Sequence, residues 1–435
     1  MEHISHRRIA RIAFPVIVAN ASLPILGAVD TGVVGQLGQA VPIGAVGLGS
    51  IILTAIYWVF GFLRMGTVGL TSQAIGAGDK AETAALLSRA VLLGLVAGAA
   101  VFVAQPLIFN GAFWVSPGSA AVEGLARDYM EIRVMSAPAA IALYGISGWL
   151  LARERTLAVL ALQLGMNGVN IVLDIVFVLY LDWGVSGVAW ATFIAEWGAL
   201  ALGLFLCRDV LRHPAWHDAA RIFDRVILRR MALVNLDILI RSALLQGIFL
   251  SFMFLGAGFD DVTLAANQIL LQFLFLTSYA MDGATSAVET LVGQALGARD
   301  AAALRRAVLL TGFWAGCIVV VLALVFWLFG GLIGDIMTTA PDVRTAMRLY
   351  LPYMVLAPLL GGAAWLFDGV FIGATRTRDM RNMMVVSALI YAGAVLVLVP
   401  WLGNHGLWLA LLISFIARGV TLGLKYPGLE RSVTR

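Results

Sequence analysis

Apolar stretches long enough to cross a lipid bilayer recur along the whole chain, separated by short polar links. Inside lipid the backbone finds no water, so each stretch must satisfy its own N–H and C=O groups, as a helix or in a closed barrel. The stretches lack the in–out alternation of barrel strands, which leaves helices. A crossing takes about 20 residues, and on that measure the chain supplies about twelve. The predicted spans are 9–36, 43–73, 83–110, 123–152, 157–181, 184–207, 230–256, 262–294, 302–331, 343–373, 381–402 and 405–426. Composition agrees: 61% of the 435 residues are hydrophobic and 12% are charged, and the mean hydropathy is +0.94. A soluble domain of this size needs far more polar surface. The predicted fold is an all-α polytopic membrane protein.

The Lys and Arg residues test the helix count and give an orientation. Place the N-terminus in the cytoplasm. The cytoplasmic links then receive Arg7, Arg8 and Arg11, Lys80 and Arg89, Arg153 and Arg155, the arginines from Arg208 to Arg230, Arg299, Arg305 and Arg306, Arg376, Arg378 and Arg381, and Lys425, Arg431 and Arg435. The opposite side receives Arg127, Arg133, Arg344 and Arg348, while Arg64, Arg241 and Arg418 fall within helices. Such an excess on one side is the positive-inside pattern, with both termini cytoplasmic in the cell's inner (plasma) membrane. The net charge of +4 then reflects basic residues beside the inner leaflet. Membrane lipid is the partner that this charge calls for, and nucleic acid is not.

Other classes find little support. Cys207 and Cys317 are far apart in sequence and imply no disulfide framework. His213 and His217 have helical spacing, but Pro214 lies between them in a polar link, so no metal site is expected. No P-loop is present, which argues against ATP as the energy source. The basic N-terminus and following apolar run resemble a signal peptide only loosely, the run being too long and too polar inside. A channel is expected to show a filter-like loop, and an intramembrane enzyme a Ser–His or paired-aspartate motif. Neither is found, and no organic cofactor is called for.

The longest link, 208–229, divides the chain into a predicted N-lobe (1–207, helices 1–6) and C-lobe (230–435, helices 7–12). The halves echo each other. "SQAIGAGDKAETAALLSRAVLL" (72–93) is matched by "GQALGARDAAALRRAVLL" (293–310), and "GWLLARERT" (148–156) by "GVFIGATRT" (369–377). The offset stays near roughly 220 residues, as expected of an internal repeat. Because six is even, both halves point the same way, giving two pseudo-symmetric six-helix lobes related by an axis along the membrane normal. That layout recurs in transporters that work by alternating access. Two complete lobes in one chain make a monomer the expected working unit.

Acidic residues inside the spans are the strongest functional candidates, since an ionised one costs about 2.5–3.5 kcal/mol at mid-helix. Asp30 lies among small residues, Gly27, Gly32 and Gly35, which leave room for a neighbouring helix or a ligand. Pro15 and Pro24 lack N–H groups and predict bends in helix 1. Asp174, Asn170 and Asn167 fall on one stripe of helix 5, too polar for lipid. Asp237 and Arg241, one turn apart on helix 7, are expected to neutralise each other. Asp282 and Glu289 share a face of helix 8, with Glu289 expected at the solvated cytoplasmic end. Asp368 stands before a link, and Glu196 and Arg418 occupy corresponding parts of the repeat.

The segments "FPVIVANASLPILGAVDTGVVG", "GFLRMGTVGLTSQAIGAGDK", "NGVNIVLDIVFVL", "YAMDGATSAVETLVGQALGARD" and "LFDGVFIGATRTRDMRNMM" resemble the MATE multidrug exporters, and most closely the DinF branch. The resemblance covers nearly the whole chain. It implies ion-coupled antiport of organic, often cationic, compounds. It also implies that Asp30 and Asp174 act together, with Asn170 and Thr192 in the same polar cluster and Pro15 as the bend of helix 1. Some relatives add a helix-4 asparagine, where this chain has Ser147. The acidic C-lobe site of the NorM branch finds no clear match, which favours protons over sodium.

The expected mechanism follows from two carboxyls that share a proton, since like charges held close together resist ionising at once. Ionised, the pair attracts a cationic or polar small molecule from inside; protonated from outside, it releases it. Two alternatives stand beside this: a sodium-coupled exporter of the same family, and a flippase for lipid-linked precursors. The flippase needs basic residues in its cavity, whereas the helices here carry more acidic than basic residues.

Overall fold

A computed structural model describes residues 3–36, 40–115 and 119–433. Among them there are helices and no strands. The first half contains α1 (His6–Ala21), α2 (Leu23–Gly35), α3 (Ala40–Val59), α4 (Phe62–Gly76), α5 (Lys80–Val103), α6 (Gln105–Val115), α7 (Ala120–Val134), α8 (Ala137–Ala152), α9 (Thr156–Asp174) and α10 (Gly184–Leu206). Two single turns, α11 (Arg208–Leu211) and α12 (Ala219–Ile222), occupy the link. The second half contains α13 (Arg225–Ala257), α14 (Asp261–Gly297), α15 (Ala301–Met337), α16 (Pro341–Gly373), α17 (Thr377–Leu402) and α18 (Asn404–Arg431).

Ten spans among the described residues, with α3 and α4 counted as one and α9 taken on to Tyr180, are long and apolar enough to cross a membrane, and eleven if α7 and α8, bent by 52°, count as one span. The remaining expected span, 9–36, is divided into α1 and α2, of 16 and 13 residues, neither long enough alone. The division falls at Ser22, just before Pro24 at the start of α2. Pro24 has no N–H for the carbonyl one turn back, so the helical ladder ends there. Pro15 lies inside α1, which continues through it.

The chain packs as two compact units. One comprises Val18–Thr71 and Asp79–Leu228, the other Met1–Ile17, Ser72–Gly78 and Arg229–Arg435. These units and the linear division at 208–229 are different partitions: residues 1–17 and 72–78 pack with the second half, and the link packs with the first.

In the first unit α5 lies against α8 at backbone distance. A Cβ at Gly94 would sit 2.4 Å from Ala142 Cα, and one at Gly98 would sit 2.3 Å from Pro138 Cα. In lipid, where apolar surface alone gives helices no reason to associate, such close approach supplies the dispersion contact that does. The link is tied down by Arg89, which donates to the carbonyls of Ile222 (3.0 Å) and Arg221 (2.5 Å) and to Glu82 (2.6 Å). Ser88 donates to the Trp216 carbonyl at 3.0 Å. Arg153 and Arg155 bracket Asp209 at 2.6 and 3.2 Å. Partial burial raises the Asp209 pKa, but the two guanidinium groups outweigh it and hold the carboxyl below its ordinary range.

In the second unit the repeat shows directly. A Cβ at Gly76 would meet the Gln294 carbonyl oxygen at 2.0 Å, and one at Gly297 would meet the Gln73 carbonyl oxygen at 2.0 Å. These are corresponding residues of the matched segments, in reciprocal contact. The start of the chain is built into the same unit: Arg8 donates to Gln294 Oε1 at 2.7 Å, and Arg306 to the Ile4 carbonyl at 2.8 Å. Farther along, Asn267 and Asn404 exchange amide bonds at 2.7 and 3.0 Å, and Trp408 donates to Asn267 at 2.9 Å. This satisfies polar groups buried beside Phe252 and Phe415.

Candidate functional site

Asp174 is the last α-helical residue of α9 and is fully buried. The six residues after it, Ile175–Tyr180, wind as a π-helix, with Leu181 donating five residues back to the Val176 carbonyl at 3.0 Å. Such wide turns concentrate at functional positions because they re-aim the side chains beside them. Asp30, on α2, is half-buried. The two carboxyls come within reach of each other as side-chain partners, without meeting strict bond geometry. Asp30 Oδ1 and both Asp174 oxygens are buried and receive no hydrogen bond from any described residue. No atom lies within 4 Å of where a Cβ would stand at Gly27, Gly32 or Gly35, so α2 is not close-packed on those faces.

The other predicted residues of this lobe form a polar string beside the pair. Asn170 donates to Thr192 Oγ1 at 3.2 Å, and Thr192 donates to the Val188 carbonyl at 3.0 Å. Asn167 accepts from Gln163 at 3.0 Å and donates to Ser22 at 2.9 Å, which links α9 to the interruption before Pro24. Ser147, half-buried on α8, makes no side-chain hydrogen bond to this string among the described residues.

Arg133 is a site residue that the sequence reading misplaced with the links of the opposite side. It is half-buried at the end of α7. It donates to Tyr129 Oη at 3.0 Å and to Glu196 Oε1 at 3.2 Å. Ser136, at the break between α7 and α8, donates to the other oxygen of Glu196. Arg133 is also the cation within electrostatic range of both Asp30 and Asp174. Its place ten residues inside the predicted span 123–152 was the available signal.

The acidic candidates of the second unit behave differently. Asp237 and Arg241 do not pair with each other. Asp237 accepts from Arg381 at 2.6 Å and from Thr377 at 3.1 Å. Arg241 instead donates to Asp368, and Arg418 Nε lies 3.7 Å from the same oxygen. Helix neighbours one turn apart project alongside each other, and carboxylates on adjacent helices offered each arginine a better-aimed partner. Glu196 and Arg418, though they correspond in the repeat, have separate partners. Glu289 is fully buried, not solvated, and Asp282 is half-buried. A cavity of about 480 Å³ lies elsewhere, lined by Phe102, Phe109, Asn110, Arg127 and Glu131 among others.

Comparison with known proteins fits this architecture. The MatE family model matches residues 15–176 and 238–396. The chain is 38% identical over 419 residues to DNA damage-inducible protein F of Escherichia coli (strain K12), covering 96% of this chain and 91% of that one. It is 25% identical to a probable multidrug resistance protein NorM of Xanthomonas campestris, covering 97% and 94%. The fold is shared with the Vibrio cholerae MATE transporter VcmN in the bent form, with a TM-score of 0.88 at 21% identity over 98% of this chain and 97% of that one. The chain belongs to the MatE family: it is a polytopic membrane transporter of the multidrug and toxic-compound efflux class, and not an enzyme.

Proposed function

We propose that the protein is a proton-coupled antiporter in which Asp30 and Asp174 are the switch. The observation that carries this reading is the pair of neighbouring carboxyls among membrane helices, Asp174 fully and Asp30 half-buried, three of whose four oxygens are buried without a hydrogen-bond donor among the described residues. A pair so poorly supported is stable only with a proton, a cation or a cationic cargo beside it. Ionised, it takes an organic cation from the cytoplasmic side; protonated from the other side, it lets the cargo go, and the proton leaves inside. Exchange of one proton for one monovalent cation moves no net charge and draws on the pH gradient alone. A second proton would add about 2.3 kcal/mol per 100 mV of membrane potential.

Sodium coupling is the less supported reading. Asp237 on α13 and Asp368 on α16 are already held by Arg381 and by Arg241 with Arg418. With their charge already matched by guanidinium groups, these two carboxylates offer a sodium ion little. Both termini are taken to be cytoplasmic, in the inner membrane, with the monomer as working unit.

The test is dye efflux from proteoliposomes under an imposed pH gradient, without sodium. The wild-type protein is expected to transport, and Asp30→Asn and Asp174→Asn to lose at least about tenfold in rate, as for a group that must carry the exchanged proton. Undiminished transport by Asp30→Asn, or transport only when sodium is added, contradicts the reading.

A further inference from the structure

The α7–α8 break is organised around one residue. The Arg133 carbonyl accepts from Ser136 N (3.1 Å) and Tyr57 Oη (3.2 Å), which pins its backbone. Its side chain is less committed. The bond to Glu196 is single and 3.2 Å long, whereas a well-formed guanidinium–carboxylate pair is two-pronged at about 2.7–2.9 Å. Arg133 Nε is buried and has no acceptor. Tyr129, its other partner, is itself anchored to Ser50 at 2.8 Å. The titratable groups around Arg133 are Glu196 of α10, Tyr129 of its own helix, Tyr57 of α3, Asp30 of α2 and Asp174 of α9. The guanidinium is bonded to Glu196, which stands one turn from Thr192 on α10, and the Thr192–Asn170 bond joins that neighbourhood to the turn of α9 before Asp174.

We propose that Arg133 is a tethered cation that competes with cationic cargo for the Asp30–Asp174 pair, and that Glu196 and Tyr129 hold it in reserve. This rests on the acid pair being the cargo site. When that pair is ionised and empty, Arg133 is the positive charge at hand to offset it. When cargo arrives, Arg133 falls back fully on Glu196. A buried charge left without a partner is costly, so Glu196 is what allows the guanidinium to yield. Arg133 and Glu196 are positioning residues for cargo affinity: neither has to touch the cargo.

The test measures the Kd of a lipophilic cation, tetraphenylphosphonium, by equilibrium dialysis with the purified full-length protein at fixed pH. Glu196→Gln keeps the shape of the side chain but removes its charge, leaving Asp30 and Asp174 as the remaining carboxylates of Arg133. Its affinity is expected to weaken about tenfold or more, the size of coupling seen for close charge pairs. The double variant Arg133→Gln/Glu196→Gln is expected to return to wild-type affinity or better. A purely structural role predicts that loss and rescue of binding follow the thermal midpoints of the variants, whereas the proposal predicts them at equal midpoints, which are measured alongside. Equal Kd values for Glu196→Gln and the double variant, or weaker binding by the double, overturn the proposal. Should Glu196→Gln fail to fold, Tyr129→Phe, which removes one anchor of Arg133, carries the test: weaker binding supports the proposal and unchanged binding overturns it. Asp30→Asn separates the two layers. Loss of binding in Asp30→Asn together with no effect of Glu196 removes the role of Arg133 alone; full binding by Asp30→Asn removes the acid pair as the cargo site.

Discussion

Asp368 is buried, 3% exposed, between two arginines from different helices. Removing one member of a buried ion pair leaves an uncompensated charge, at a cost of roughly 3–5 kcal/mol. Asp368→Asn is therefore expected to lower the thermal midpoint of the detergent-purified protein sharply. Asp218→Asn, which breaks the Arg221–Asp218 pair, 38% and 47% exposed, and keeps an oxygen to cap α12, is expected to change it little, since exposed pairs are worth about 0–1 kcal/mol. Equal shifts would contradict the burial argument. Residue identities were legible in sequence where lipid imposes the rule. A carboxylate among glycines, and an aspartate one turn from an asparagine, stand out in an apolar helix. Partners were not legible. Spacing paired Asp237 with Arg241, but the choice between a helix-mate and a neighbouring helix is made by packing. Arg133 reads as a link residue of the opposite side, although it lies ten residues inside its span, because a basic residue is costly in an apolar helix until a partner such as Glu196 is known.

At the scale of elements, glycines decide where helices meet. The end of α4 and the end of α14 cross through Gly76 and Gly297, where any Cβ would overlap backbone of the other helix. Backbone cannot step aside as a side-chain tip can, so Gly76→Ala is expected to cost about 1–3 kcal/mol. Gly124→Ala, where a methyl group meets nothing within 4 Å, is expected to be neutral or slightly stabilising. Thermal unfolding of the two variants side by side checks this, and similar midpoints would contradict it. Most helices were readable from hydropathy because length and apolarity are set by the bilayer. The interruption before Pro24 was readable from the missing N–H. The π-helical turn after Asp174 was not, because a shift from i+4 to i+5 bonding leaves no periodic mark in six residues.

At the scale of the whole molecule, the repeat seen in the letters reappears as the reciprocal contact of Gln73 and Gly76 with Gln294 and Gly297. The halves have nonetheless diverged in charge. The first unit holds two carboxyls of which three oxygens receive no hydrogen bond from a described residue, while on α13 and α16 of the second Asp237 and Asp368 are matched to arginines. That contrast is the reason the proposal assigns ion coupling to Asp30 and Asp174. If cargo and proton compete for this pair, binding of a cation must expel a proton. The most direct measurement is proton release when tetraphenylphosphonium is added to the purified protein in weak buffer. The account predicts release by the wild-type protein and none by Asp30→Asn/Asp174→Asn. Cation binding with no proton release, or release that persists in the double variant, would contradict it.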